Sequence, residues 1–182
     1  LGIWKPNICF GNSMSLVGRA AIFATAAHSA IGQVRKYDGS PYIHHPQRVA
    51  DTVREFGGSD DMIAAAWLHD VVEDTAVEMN IITGLFGCIV GNLVEGLTDV
   101  STPSDGNRAA RKAIDRERLL SASADTQFVK LADIIDNSSD IRMHDLNFWK
   151  VYQGEMIALL DGMYSRVKLY PIYEKARRTV EM

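Results

Sequence analysis

Four side chains able to bind a metal or move a proton fall within six residues: His69, Asp70, Glu73 and Asp74. His69 and Glu73 are four apart, as are Asp70 and Asp74. On a helix of ~3.6 residues per turn, each pair stacks one turn apart on nearly the same face. The residues before and between them are apolar (Ala64, Ala65, Ala66, Trp67, Leu68, Val71, Val72), so the cluster is expected on a core helix. Buried carboxylates are costly unless a cation compensates them. The chemistry this spacing suggests is a metal site with an acid/base pair one turn away.

Further ligands are available elsewhere. His45 precedes Pro46 and should stand at a helix entrance. Asp133 lies among Leu131, Ala132, Ile134 and Ile135, where nothing explains an acid unless it meets a cation or a partner group. Two imidazoles and two carboxylates make a mixed nitrogen and oxygen set. Such a set suits Mn, Fe, Zn or a similar divalent ion and leaves positions for water and substrate. Arg35 and Lys36, a basic pair opening a loop, can meet phosphate or stack on a base. Each residue also has a plainer reading. The four ligands could form a buried ion-pair network, and Asp74 could cap a helix. Arg35 and Lys36 could be solvated loop charges, and Asn137 could be a core hydrogen-bonder. The basic run Arg108, Arg111, Lys112, Arg116 and Arg118 alternates with acids and reads first as a solvated face, with phosphate gathering as its alternative. His28, His44 and His144 read as packing or surface residues, and Trp67, Trp149 and the methionines as core.

The elements that must position these groups read as helices. Apolar spacing predicts a helix over 16–33 and a loop over 35–41 carrying Asp-Gly and Ser-Pro turn signals. A helix from Pro46 to about Phe56 ends at Gly57-Gly58. The next is capped by Ser59 and carries the whole cluster. Thr75 to Glu78 has capping-box spacing before a short helix to about Leu85. Helices over 89–97 and 108–120 flank a loop at 98–107. A helix from about 124, capped by Ser123, runs through Asp133 to Ile141. One over 148–170 is ended by Pro171, and a short one closes the chain. No strand pattern emerges, which makes this an all-α, bundle-like single domain.

Bulk properties agree. The chain has 182 residues, 47% hydrophobic and 23% charged, with a net charge of -4. That length fits one domain. The charge gives no support for nucleic-acid or anionic-membrane binding. Cys9 and Cys88 do not make a metal or disulfide framework, which fits a reducing cytoplasm. No run spans a bilayer and no signal peptide is evident. Residues 1–13, which precede Met14 and lack helical period, are expected to be a cloning remnant or an upstream extension. Oligomeric state is not legible.

The order of motifs carries a resemblance. Arg35-Lys36, Pro41 to Pro46, Ala64 to Thr75, Phe86-Gly87, Val94 to Asp99 and Val129 to Asp133 with Asn137 together resemble the HD-domain metal-dependent phosphohydrolases. Within them, the string resembles the hydrolase domain of the RelA/SpoT alarmone enzymes and looks like the stand-alone small alarmone hydrolases, the metazoan SpoT-homologue type included. The resemblance covers roughly residues 16–170 and implies an HD-domain helical bundle over 14–182. It implies hydrolysis of the 3′-pyrophosphate of ppGpp or pppGpp to GDP or GTP and pyrophosphate, with Mn²⁺ preferred. His45, His69, Asp70 and Asp133 would hold the metal. Glu73 and Asp74 would position or deprotonate water, and Arg35, Lys36 and Asn137 would contact the guanine nucleotide. Residues 138 and 139 are serines where the family usually has Leu or Met and often Arg. That departure keeps another small nucleotide open as substrate, and a non-enzymatic nucleotide sensor is the alternative of another class. The 182 residues leave no room for the synthetase domain of the long RelA/SpoT enzymes.

Overall fold

The computed structural model describes residues 14–182; the expectation for residues 1–13 lies outside them. Among the described residues there are ten α-helices, one 3₁₀ turn, and a single β-bridge between Val34 and Pro41. The protein is all-α. In chain order the helices are α1 (Leu16–Ala30), α2 (His44–Glu55), α3 (Asp60–Leu68), α4 (Val71–Asp74), α5 (Met79–Phe86), α6 (Cys88–Leu97), α7 (Arg108–Ser121), α8 (Ala124–His144), α9 (Leu146–Val167) and α10 (Pro171–Glu181).

Two helices form the centre. In α3, Met62, Ile63, Ala64, Ala65, Ala66 and Leu68 are all buried, so it has no solvated stripe. A helix apolar on every side belongs inside a core. Its three consecutive alanines let α1, α2 and α6 pack closely around it. The second, α8, buries Phe128, Val129, Leu131, Ala132 and Ile134 and packs against α2, α3, α6, α9 and α10. Side-chain caps define the ends: Ser59 accepts from Met62 N–H at 3.3 Å and Ser123 from Thr126 N–H at 3.1 Å. Each such cap is worth about 1 kcal/mol. At the end of α2, Gly58 approaches Val53 so closely that a Cβ would fall 2.4 Å from Val53 Cγ1.

Several sequence expectations shift. The first helix stops at Ala30 rather than 33, because the chain turns at Gly32 with φ +62. Pro46 is not the first residue of α2. His44 and His45 precede it within the helix, and Pro46 occupies a first-turn position whose N–H would have no intrahelical partner anyway. The capping box expected at Thr75 to Glu78 does not form: Thr75 Oγ1 instead donates back to Val71 O at 2.6 Å, and Glu78 makes no side-chain cap. A capping box is present between Thr102 and Asp105, inside the long loop.

The largest correction concerns the opening cluster. It does not lie on one helix. α3 ends at Leu68, the chain turns at His69-Asp70 (Asp70 φ -96, ψ -4), and α4 begins at Val71. His69 Nδ1 lies 2.7 Å from Ala66 O, the carbonyl that a continuing helix would offer to the Asp70 N–H. The consequence is functional. Neighbouring residues on a regular helix point about 100° apart, whereas the turn lets His69 and Asp70 face one point.

Candidate metal centre

Four side chains from three segments meet at that point. His45 comes from the first turn of α2, His69 and Asp70 from the turn between α3 and α4, and Asp133 from the middle of α8. His45 Nε2 lies 3.2 Å from His69 Nε2, 3.2 Å from Asp133 Oδ1 and 3.5 Å from Asp70 Oδ2. His69 Nε2 lies 3.0 Å from Asp70 Oδ2 and 3.7 Å from Asp133 Oδ1. His45, His69 and Asp133 are buried, and Asp70 is half-buried.

The surrounding contacts decide what this set can hold. His45 Nδ1 lies 2.6 Å from Asp136 Oδ2, and His69 Nδ1 faces the Ala66 carbonyl. Each Nδ1 thus donates to Asp136 or to the Ala66 carbonyl, which turns both Nε2 atoms inward; without a metal they share protons with Asp133 and Asp70, and once deprotonated they present two lone pairs. Two Nε2 atoms 3.2 Å apart amid two carboxylates call for positive charge, held as protons on the rings or as a metal ion that replaces them. The donor set therefore fits a divalent cation, two imidazole nitrogens with two carboxylate oxygens. The carboxylates are aimed as well. Asp70 Oδ2 accepts from Tyr42 Oη at 2.5 Å. Asp133 Oδ1 accepts from Asn137 Nδ2 at 2.6 Å, while its Oδ2 pairs with Lys130 Nζ at 2.8 Å.

The electrostatics point the same way. Burial opposes charge on His69, but the Asp70 and Asp133 carboxylates outweigh it and hold the ring well above the usual imidazole range. For His45, burial is likewise outweighed, by Asp133 and Asp136. Burial would raise the two acids, yet His69 and His45 pull Asp70 down, and Lys130 with the two histidines pulls Asp133 down. The site thus keeps its carboxylates ionised and attracts positive charge.

Beside it opens a cleft of about 630 Å³, lined by His69, Asp70 and Asp133 at one end and by α7 and α9 along its length. Glu73 is in the lining. Its Oε1 accepts from Asp99 N–H at 2.5 Å; desolvation of the carboxyl, with the Asp70 and Asp99 charges, raises it to about 7 despite that bond, although the residue as a whole is exposed. Arg108, Lys112 and Arg116, at four-residue spacing on one side of α7, also line the cleft. Arg108 is forked onto Glu155, and Lys112 pairs with Asp99 at 2.6 Å. Arg116 has no ion pair or hydrogen bond among the described residues.

The other candidate residues are distributed unevenly. Asp74 does not line the cleft; its Oδ2 accepts from Gln33 Nε2 at 2.8 Å, and Gln33 Oε1 in turn lies 2.7 Å from Nδ1 of buried His28. Arg35 is tied to Asp140 at 2.5 Å, and exposed Lys36 lies over the rings of Tyr37 and Phe148; neither lines the cleft. Asn137 lines it and orients Asp133. Ser138 is buried and Ser139 bonds back to Ile135 O, so neither borders the cleft. Sequence reasoning missed Tyr42 and Lys130 as site residues and held the α7 cations only as an alternative phosphate-gathering surface. The 108, 112, 116 spacing was the available signal for the last, and a lysine one turn from Asp133 in an apolar helix was the signal for Lys130.

A family profile for the HD domain matches residues 20–148, which take in all four converging residues. The chain belongs to the HD-domain family. This HD domain is 41% identical over 125 residues to a Synechocystis protein named as a probable guanosine-3′,5′-bis(diphosphate) 3′-pyrophosphohydrolase, covering 67% of this chain and 16% of that one. It is 34% identical over 137 residues to a Brucella ovis GTP pyrophosphokinase, covering 74% and 17%. It is 26% identical over 168 residues to a Mycoplasma pneumoniae protein with the same name as the Synechocystis one, covering 87% and 22%. The HD domain thus spans about a fifth or less of the length of these relatives. Its fold matches a solved metazoan orthologue of SpoT, described as hydrolysing ppGpp, with TM-score 0.78 and 24% identity over 94% of this chain and 97% of that one. No helix among the described residues is long and apolar enough to cross a membrane.

Proposed function

We propose that this HD domain, spanning residues 14–182, hydrolyses the 3′-pyrophosphate of guanosine tetra- or pentaphosphate to GDP or GTP and pyrophosphate, in the cytoplasm. The observation that carries the reading is the meeting of His45, His69, Asp70 and Asp133 beside a cleft that Arg108, Lys112 and Arg116 also line. The naming of the Synechocystis and Mycoplasma relatives and the activity described for the metazoan SpoT orthologue support the substrate. His45, His69, Asp70 and Asp133 hold the metal. Mn²⁺ is the ion that the resemblance to the RelA/SpoT hydrolase domain implies; the mixed nitrogen and oxygen set suits Fe or Zn as well. When bound, such an ion lowers the pKa of a coordinated water and offsets charge on phosphoryl oxygens.

The chain's own residues do the rest. Glu73 is the proton acceptor: Asp99 N–H fixes Oε1, leaving Oε2 for the attacking water, and a carboxyl near 7 exchanges protons at neutral pH. Asp74, held by Gln33 outside the cleft lining, orders the segment that carries Glu73. Asn137 and Lys130 hold Asp133 with one oxygen toward the imidazoles. Arg116, with Arg108 and Lys112 beside it, meets the substrate's phosphates and draws off charge as pyrophosphate departs. Arg35 and Lys36 are assigned to the nucleoside end, where Arg35 must exchange Asp140 for substrate.

Mn²⁺-loaded protein incubated with ppGpp should release pyrophosphate and GDP. The tie of Arg35 to Asp140 favours a second reading, hydrolysis of another small nucleotide. Turnover of a nucleoside mono- or triphosphate with none of ppGpp would replace the first reading by the second.

A further inference from the structure

Asp133 and Asp136 lie three residues apart on α8 and address opposite edges of one ring. Asp133 Oδ1 is 3.2 Å from His45 Nε2, and Asp136 Oδ2 is 2.6 Å from His45 Nδ1. Asp136 is itself gripped by Arg48, one turn beyond His45 on α2, through Nε to Oδ1 at 2.5 Å and Nη2 to Oδ2 at 3.1 Å. From these distances we propose that Asp136 is a positioning residue of the metal centre, with Arg48 as its clamp.

The physical argument is short and rests on His45 being a ligand. An imidazole binds a cation only through a nitrogen bearing a lone pair, so the ring must carry its proton on the far nitrogen. A carboxylate at Nδ1 fixes that tautomer, locks the ring plane, and makes Nε2 more basic. A carboxylate free to rotate would do this poorly. The fork from Arg48 takes both Asp136 oxygens and holds the group toward the ring. Asp136 is mostly shielded (side chain 11% exposed), whereas Arg48 is half exposed (49%), so the clamp closes from the solvent side. The same ion pair also ties α2 to α8. A purely structural tie would affect stability without affecting the His45 tautomer.

The test uses the whole chain, stripped of metal, and titrates it calorimetrically with Mn²⁺ alone. Asp136→Asn should weaken binding by about 10–100-fold, and nitrogen-15 spectra of the metal-free protein, taken at a pH high enough for His45 to be neutral, should show the ring proton no longer on Nδ1 alone. Affinity within about 2-fold of wild type, with Nδ1 still protonated, would overturn the proposal. Arg48→Ala, a change at a half-exposed side chain, guards against a folding failure of the first variant. It should weaken Mn²⁺ in the same direction but by less, and unchanged affinity there counts against the clamp. His45→Ala separates the two levels of inference. Intact affinity in that variant overturns the ligand assignment itself, and Asp136 with it. Loss in His45→Ala with none in Asp136→Asn overturns only the role of Asp136.

Discussion

The Nε2 atoms of His45 and His69 face each other 3.2 Å apart while both Nδ1 atoms are engaged elsewhere. This relationship makes the centre a site for positive charge, carried by protons on the rings in the metal-free protein and by a divalent ion when one binds.

Metal and rate should separate by residue. Asp70→Ala removes an inward oxygen and should abolish Mn²⁺ binding and activity together. Glu73→Gln removes only the proton acceptor. It should keep the metal and lower kcat by about 10²–10⁴-fold. Metal analysis of each purified variant beside its turnover number checks the division, and full occupancy in Asp70→Ala would remove that residue from the ligand set.

Binding should release protons. Burial notwithstanding, the neighbouring carboxylates raise His45 and His69 above the ordinary value of 6.5, so near pH 7 the metal-free rings hold extra protons. Ligation needs them neutral at Nε2. Mn²⁺ titrations in buffers of different ionisation enthalpy should show proton release, and apparent affinity should fall as pH is lowered.

Stability of the metal-free protein should depend on pH in a stated direction. For His45 and His69 the folded pKa lies above 6.5, so their stabilising contribution is full below 6.5 and is lost as pH rises through the folded values. Glu73 acts in the same sense: burial raises it from 4.5 to about 7, so the folded state loses stability as pH climbs across that interval. Asp70 and Asp133 are depressed, and their contribution is present above 3.8 and lost as pH falls through the folded values. Metal-free protein should therefore show falling Tm from neutral to alkaline pH, and Mn²⁺ should raise Tm most where that fall is greatest. Thermal scans with Mn²⁺ and with chelator check this. In turnover Glu73 must be ionised, and a bound dication nearby favours that form, so the acid edge of the rate profile should lie below the metal-free value of about 7.

Arg116 should act on binding more than on chemistry. It lines the cleft with no partner to replace. Arg116→Ala should raise KM on the order of 10-fold, the scale of one charged hydrogen bond, with a smaller effect on kcat. Steady-state kinetics on ppGpp check this, and an unchanged KM would place the phosphates elsewhere.

The fold class and the identity of the converging residues were legible because they rest on local signals. An acid amid Leu131, Ala132, Ile134 and Ile135 and a histidine beside Pro46 are visible without coordinates. The break at His69-Asp70 was not legible. It depends on a side-chain bond to Ala66 O that competes with a helix whose propensity is otherwise continuous. Nor was the inward turn of Arg108, Lys112 and Arg116, since a basic amphipathic face reads the same against water as against a polar cleft. Asp136 was missed for a related reason: its role is defined by the far edge of His45, on another helix.

The most direct test of the metal centre is anomalous diffraction from crystals grown with Mn²⁺. The expected result is one peak within about 2.0–2.3 Å of His45 Nε2, His69 Nε2 and oxygens of Asp70 and Asp133, with Glu73 beside the water that completes its shell. A Mn²⁺ ion bound elsewhere, or one that leaves out His45 or Asp133, would contradict the account.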